Sequence, residues 1–301
     1  MVGRQRICAS RDGCIVGHVN TDANALVGAG LPAISRWLSR ASALPQLRRL
    51  ANAAVAIVFF TTTALATDTR KSSFDGMQPA TQALQKDDTQ NPAMLWVQDG
   101  VAQWPKSEGD TQKSCADCHG DMKKMRSVAT RYPQYSVHAK RVINLSQRIN
   151  QCRTTQQRGS AWPHDSATLI GLESAIAMQS RGLPIAPPTA TQPQLVEAQA
   201  RGEVLFNQRI GQTDLSCRDC HNRLAGKRLG GSTIPQGHPT GYPIYRLEWQ
   251  SVGSLQRRLR GCMTAVRAEP YAYGASELVE LEAYLAKRAT GMTLESPGVR
   301  P

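Results

Sequence analysis

The pentapeptide C-x-x-C-H occurs twice in this 301-residue chain, as Cys115-Ala-Asp-Cys118-His119 and as Cys217-Arg-Asp-Cys220-His221. It is the attachment signal of a c-type haem: two thiols add to the vinyl groups as thioethers, and the adjacent imidazole binds iron from the proximal side. A redox C-x-x-C or half of a zinc site would need neither the following histidine nor a second copy. Two covalently bound haem c groups are therefore expected, on Cys115, Cys118, Cys217 and Cys220, with His119 and His221 as proximal ligands. A tethered porphyrin is an apolar plate larger than any side chain, so the chain around each motif has to fold over it. Aromatics are only 5% of the residues, with four Phe, and the haems would supply the missing flat apolar surface.

The repetition extends beyond the attachment motifs. Gly100 and Trp104 precede the first one as Gly202 and Phe206 precede the second, and positions i and i+4 share a helix face. Leu172-Glu-Ser-Ala-Ile-Ala177 matches Leu281-Glu-Ala-Tyr-Leu-Ala286, the latter with Ser276 as its expected N-cap and Gly291 beyond its end. A small residue beside a ring on one helix invites a second helix to cross closely, with Ala175 standing where the second copy has Tyr284. The fold class expected is mainly α: two tandem cytochrome c-like domains related by internal duplication, with long irregular loops. The Pro-rich stretch Gly182–Pro193 reads as a linker, which places the domains at 67–185 and 186–301. Residues 226–245, dense in Gly and Pro, read as a wrapping loop, and strand signals are poor.

Residues 1–66 stand apart. Ala51–Ala66 is an uncharged, mostly apolar run preceded by Arg36, Arg40, Arg48 and Arg49 and ended by Ala64-Leu65-Ala66. That is the order of a secretory signal peptide, with cleavage expected near Thr67. The run is shorter than a membrane span requires, so a retained anchor is the weaker alternative, and a periplasmic location follows. Cys8 and Cys14 leave with this segment, and the six remaining cysteines enter a compartment that favours disulfides. The net charge of +13 and pI of ≈ 9.7 favour an anionic partner or substrate. No unbroken basic arm of the nucleic-acid-binding kind is present.

Each iron needs a distal ligand or an open site. Met122, Met125, Met178, Met263, His138, His164 and His238 are of the ordinary types. Competing with them are Cys152 and Cys262, which close the matching segments Leu145-Ser-Gln-Arg-Ile-Asn-Gln-Cys152 and Leu255-Gln-Arg-Arg-Leu-Arg-Gly-Cys262. One L-x-x-R-[IL]-x-x-C pattern in both copies favours one task done twice, iron ligation, over a Cys152–Cys262 disulfide or inert thiols. Arg258 lies one helical turn before Cys262, and Arg257, Arg260 and Arg267 add charge that lowers a thiol pKa and attracts an oxyanion. Each of these arginines taken singly also reads as helix surface or a haem-propionate partner. Gly261 leaves room for a small ligand where the first copy has Gln151.

The stretch Arg201–Tyr284, with GYPIYRLEWQ, RLRGC and VRAEP, closely resembles the catalytic domain of the SoxA family, dihaem subunits of the SoxAX complex of bacterial sulfur oxidation. The resemblance covers most of residues 90–290, including RINQC in the first domain. It implies that Cys262 is the active-site cysteine, carrying a persulfide and ligating the second haem, that Arg258 binds thiosulfate, and that Cys152 is the distal ligand of the first haem. It further implies a heterodimer with a SoxX-like monohaem cytochrome c and conjugation of thiosulfate to a cysteine of the carrier SoxYZ. The electrons would pass to an acceptor cytochrome c. The activity implied is that of an L-cysteine S-thiosulfotransferase. Two competing readings are an electron-transfer dihaem cytochrome c and a dihaem peroxidase, neither of which requires the matched cysteine pair.

Overall fold

The computed structural model describes residues 68–301; the expected signal segment, with Cys8 and Cys14, lies outside them. The helices are α1 (Pro79–Lys86), α2 (Met94–Gln103), α3 (Cys115–His119), α4 (Leu145–Cys152), α5 (Ala167–Met178), α6 (Pro193–Asn207), α7 (Leu255–Ala265) and α8 (Ser276–Arg288). Seven short strands join them: β1 (Gln134–Ser136), β2 (Arg141–Ile143), β3 (Arg228–Leu229), β4 (Ser232–Thr233), β5 (Ile244–Arg246), β6 (Ser251–Gly253) and β7 (Gly298–Arg300). The mainly α expectation holds, and the duplication is visible element by element.

In each half the two long helices cross at a glycine. A Cβ on Gly100 would lie 2.2 Å from the Gly171 carbonyl of α5, and one on Gly202 would lie 1.9 Å from the Glu280 carbonyl of α8. The rings expected beside these crossings are buried there: Trp104 packs 5.8 Å from the His119 ring, and Phe206 packs 5.3 Å from Tyr284. Both attachment turns begin with a serine whose hydroxyl caps the turn and accepts from the backbone of the motif Asp, while that carboxylate binds back: Ser114 with Asp117, Ser216 with Asp219. Antiparallel hairpins follow in equivalent register, with Gln134 opposite Ile143 and Ser136 opposite Arg141 in one half, Ile244 opposite Gly253 and Arg246 opposite Ser251 in the other.

Three details differ from the sequence expectation. Ser276 is the first helical residue of α8, not its cap; Ala275 occupies the cap position, and the Ser276 hydroxyl goes to Glu277. The 226–245 loop contains the β3–β4 hairpin. The Pro-rich stretch is pinned: backbone bonds tie Gly182, Leu183 and Ile185 to Gly291, Met292 and Leu294, and Ile185 is buried.

The halves also exchange packing. Tyr245, Val252 and Val299 of the second half bury against Ala93 and Ile170 of the first, while Val142 of β2 packs on Leu195, Ala198 and Ala283 of α6 and α8. Strand β7 returns to pair in parallel with β5, and the described residues form one compact unit.

Candidate haem and sulfur site

The first thiol of each attachment motif sits on an apolar cluster. Cys115 packs with Trp104, Leu145, Ile149, Leu169 and Leu172, and Cys217 with Phe206, Leu255, Leu259, Leu278 and Leu281. Burial pushes both thiols up to about 11, which keeps them protonated until they are alkylated. His221 is fixed by its Nδ1, 2.8 Å from the Pro235 carbonyl. Because a carbonyl only accepts, Nδ1 carries the proton and Nε2 is left as the lone-pair donor. Burial lowers the His221 pKa, with Arg258 and Arg288 adding to the effect, so the neutral ligand form is favoured. A cavity of ≈ 410 Å³ borders His221, lined also by Arg70, His238 and Arg288. Paired thiols on an apolar wall fit a covalent haem in each half, and in the second half the imidazole that would meet the iron is already fixed in orientation.

Cys152 and Cys262 end equivalent turns of α4 and α7, and each faces its own half's attachment cysteines closely enough to raise them: Cys152 acts on Cys115, Cys262 on Cys217 and Cys220. Both are free thiols, so the Cys152–Cys262 disulfide weighed from the sequence is not formed. Among the other candidate ligands, His138 is exposed and His164 stacks on Tyr273 at 6.4 Å. His238 is buried beside Gln236. Met122, Met125 and Met178 pack in the first half's core, and Met263 is buried on α7.

The two sulfur sites differ in what surrounds them. In the first, Arg148 donates to the Tyr132 hydroxyl at 3.1 Å and to the Gln151 amide oxygen at 2.5 Å, and Arg153 is buried against Glu108 and over the Trp162 ring. In the second, the position of Gln151 is Gly261, with open space within 4 Å of where a Cβ would be. Among the described residues the Arg258 side chain makes no hydrogen bond or ion pair.

The cation cluster read from the sequence is thinner than expected. Arg257 goes to Ser251, Asp165 and the Trp249 ring, and Arg260 to the Tyr271 carbonyl and the Tyr273 ring. A cation absent from the sequence reading takes their place: Arg246 of β5, whose guanidinium pKa is pulled down by burial and then by Arg258, while Glu248, Tyr242 and Cys262 oppose the shift.

Two helices crossing over a C-x-x-C-H turn, twice in one chain, define a tandem c-type cytochrome. The SoxA/TsdA cytochrome c domain model matches residues 99–185 and again 201–294. The L-cysteine S-thiosulfotransferase subunit SoxA of Rhodovulum sulfidophilum is 35% identical over 221 residues, 73% of this chain and 76% of that one. Its counterpart in Paracoccus pantotrophus is 29% identical, covering 77% and 80%. The crystal structure of SoxXA from P. pantotrophus superposes with a TM-score of 0.74 over 77% of this chain and 87% of that one. This chain belongs to the SoxA/TsdA cytochrome c family, among its SoxA members.

Proposed function

We propose that this protein is the catalytic dihaem subunit of a periplasmic complex that oxidatively joins thiosulfate to a carrier-protein cysteine, an L-cysteine S-thiosulfotransferase. The observation that carries the reading is the contrast between the two sulfur sites. Arg148 is locked by Tyr132 and Gln151, whereas Arg258, one turn from Cys262 and beside the open Gly261, has no side-chain partner among the described residues. The names of the SoxA relatives support the same assignment, and the solved SoxXA relative supports a SoxX-like monohaem partner.

The net step is R–SH + S2O3(2−) → R–S–S–SO3(−) + H+ + 2 e−, where R–SH is the cysteine of a SoxYZ-type carrier. Arg258 neutralises and orients the dianion with charge-assisted hydrogen bonds. Cys262, carrying a persulfide sulfur, gives a covalent handle that divides the oxidation into two easier steps. His119 and Cys152 would hold the first haem, and His221 and Cys262 the second. Once bound, the haems would supply the exit for electrons towards the partner subunit and an acceptor cytochrome c. No helix among the described residues is long and apolar enough to cross a membrane.

Intact-mass and peptide analysis of the purified protein tests this reading. Two haems plus about 32 Da on the Cys262 peptide is the expected result; a single haem, or Cys262 without extra sulfur in every preparation, would count against it.

A further inference from the structure

Internal duplication lets one half show what the other has removed. In the first half Gln151 Oε1 is gripped from two sides, by Arg148 Nη1 at 2.5 Å and by Ser136 Oγ at 3.2 Å. Strand register and helix position set Ser136 against Arg246, Arg148 against Arg258 and Gln151 against Gly261. The second half therefore keeps the arginine, deletes the amide between the two grips, and replaces the hydroxyl with a second guanidinium. Tyr242, equivalent to Tyr132, is half-buried and close enough to both arginines and Cys262 for their charges to act on its hydroxyl.

Two neighbouring guanidiniums are costly to bury without an anion between them. Arg246 is 8% exposed, and its Nη1 is buried without a hydrogen bond, although Oε1 of the exposed Glu248 lies 2.8 Å away. Its Nε donates to the Pro301 carbonyl at 2.8 Å, and the ring of Trp249 lies 5.1 Å from the guanidinium carbon, which fixes the planar group on β5. Glu248 is the exposed member of that pair, its side chain 54% exposed against 9% for Arg246, so a dianion bound on the inner side would compete with a carboxylate that water can take up.

We infer that Arg246 is the second cation of an oxyanion clamp: with Arg258 it holds the sulfonate end of thiosulfate in the space that the Gln151 amide fills in the first half, leaving the outer sulfur to Cys262. The inference rests on the reading above of Cys262 and Arg258 as the thiosulfate site. Arg246 is a positioning residue; the deletion at Gly261 makes the space, and the paired planar forks select a tetrahedral SO3 group over a monoanion.

The test uses the haem-loaded complex with its monohaem partner and carrier, comparing Arg246→Ser, Arg246→Lys and Gly261→Gln with the unmodified protein. Arg246→Ser restores the residue of the first half and should raise KM for thiosulfate roughly 10- to 150-fold, the loss expected for one charge-assisted contact, with a smaller change in kcat. The inhibition constant of sulfate should rise in parallel, and Arg246→Lys should recover part of both. Gly261→Gln, which leaves Arg246 in place and refills the gap with the amide, should raise KM and the sulfate constant in the same way. It carries the test if Arg246→Ser loads haem poorly. Unchanged KM and sulfate inhibition in both Arg246→Ser and Gly261→Gln would overturn the clamp. An unmodified complex that conjugates no thiosulfate would overturn the underlying reading instead.

Discussion

Arg258 and Arg148 occupy equivalent turns yet meet different surroundings, and that difference sets what each is worth. On the proposed function Arg258→Ala would remove one charge-assisted contact to a dianion, about 1.5–3 kcal/mol, and should lower kcat/KM for thiosulfate roughly 10- to 150-fold. Arg258→Lys should recover only part, because a point charge does not reproduce a planar fork. Arg148→Ala breaks bonds to Tyr132 and Gln151 that stay within the protein, so steady-state turnover should change by less than about threefold. The C-x-x-C-H turns and the segments ending in Cys152 and Cys262, with Arg258 in the second, stood out because each is a short pattern that occurs twice. Arg246 did not, since nothing near it in sequence signals a site. Aligning the Tyr-Pro-x-Tyr hairpin of one half with the other, Ser136 against Arg246, is the signal that finds it.

At the scale of the helix pairs, the crossings tolerate no side chain. Gly100 and Gly202 sit where a Cβ would meet backbone carbonyls at 2.2 and 1.9 Å, and backbone yields less than a flexible side chain. Gly202→Ala should destabilise by about 1–3 kcal/mol or more through overpacking, seen as a drop of several degrees in thermal midpoint. Gly100→Ala should behave alike in the first half, and an unchanged midpoint for both would mean the helices do not cross there in solution. This crossing was readable from glycine and ring spacing alone. The Ser276 cap was not, because hydroxyls near a helix start act as caps only in one backbone position, and here α8 begins one residue earlier than the pattern implied.

The whole molecule is less divisible than a tandem reading implies. A hairpin of each half packs on helices of the other, and the Pro-rich segment is clamped by the last turn of the second half. These contacts join residues far apart in sequence, where local periodicity is silent. Between the halves lies a cavity of ≈ 100 Å³ lined by equivalent residues, among them Tyr132 and Tyr242 and the two carboxyls Glu173 and Glu282. Burial pushes Glu173 up to about 7 and Glu282 to about 8; hydrogen bonds from Ser146 and Asn144 oppose this, and the Glu173 charge adds to it at Glu282. Such groups hold protons in the folded state that the unfolded chain releases. Stability is therefore complete below about pH 4.5 and is lost as pH rises towards 8. Glu282→Gln should flatten the fall between pH 5 and pH 8, on the order of 2–3 kcal/mol, measured by denaturant titration across that range. A slope unchanged by the substitution would show that Glu282 is ionised in the folded protein.

The division of labour between the halves is tested most directly by mass spectrometry of the carrier after incubation with thiosulfate, an acceptor cytochrome c and the reconstituted complex. The account predicts that Cys152→Ala still loads the carrier with a thiosulfonate, while Cys262→Ala, with both haems attached, loads none. A carrier loaded by Cys262→Ala but not by Cys152→Ala would contradict it and assign the chemistry to the other half.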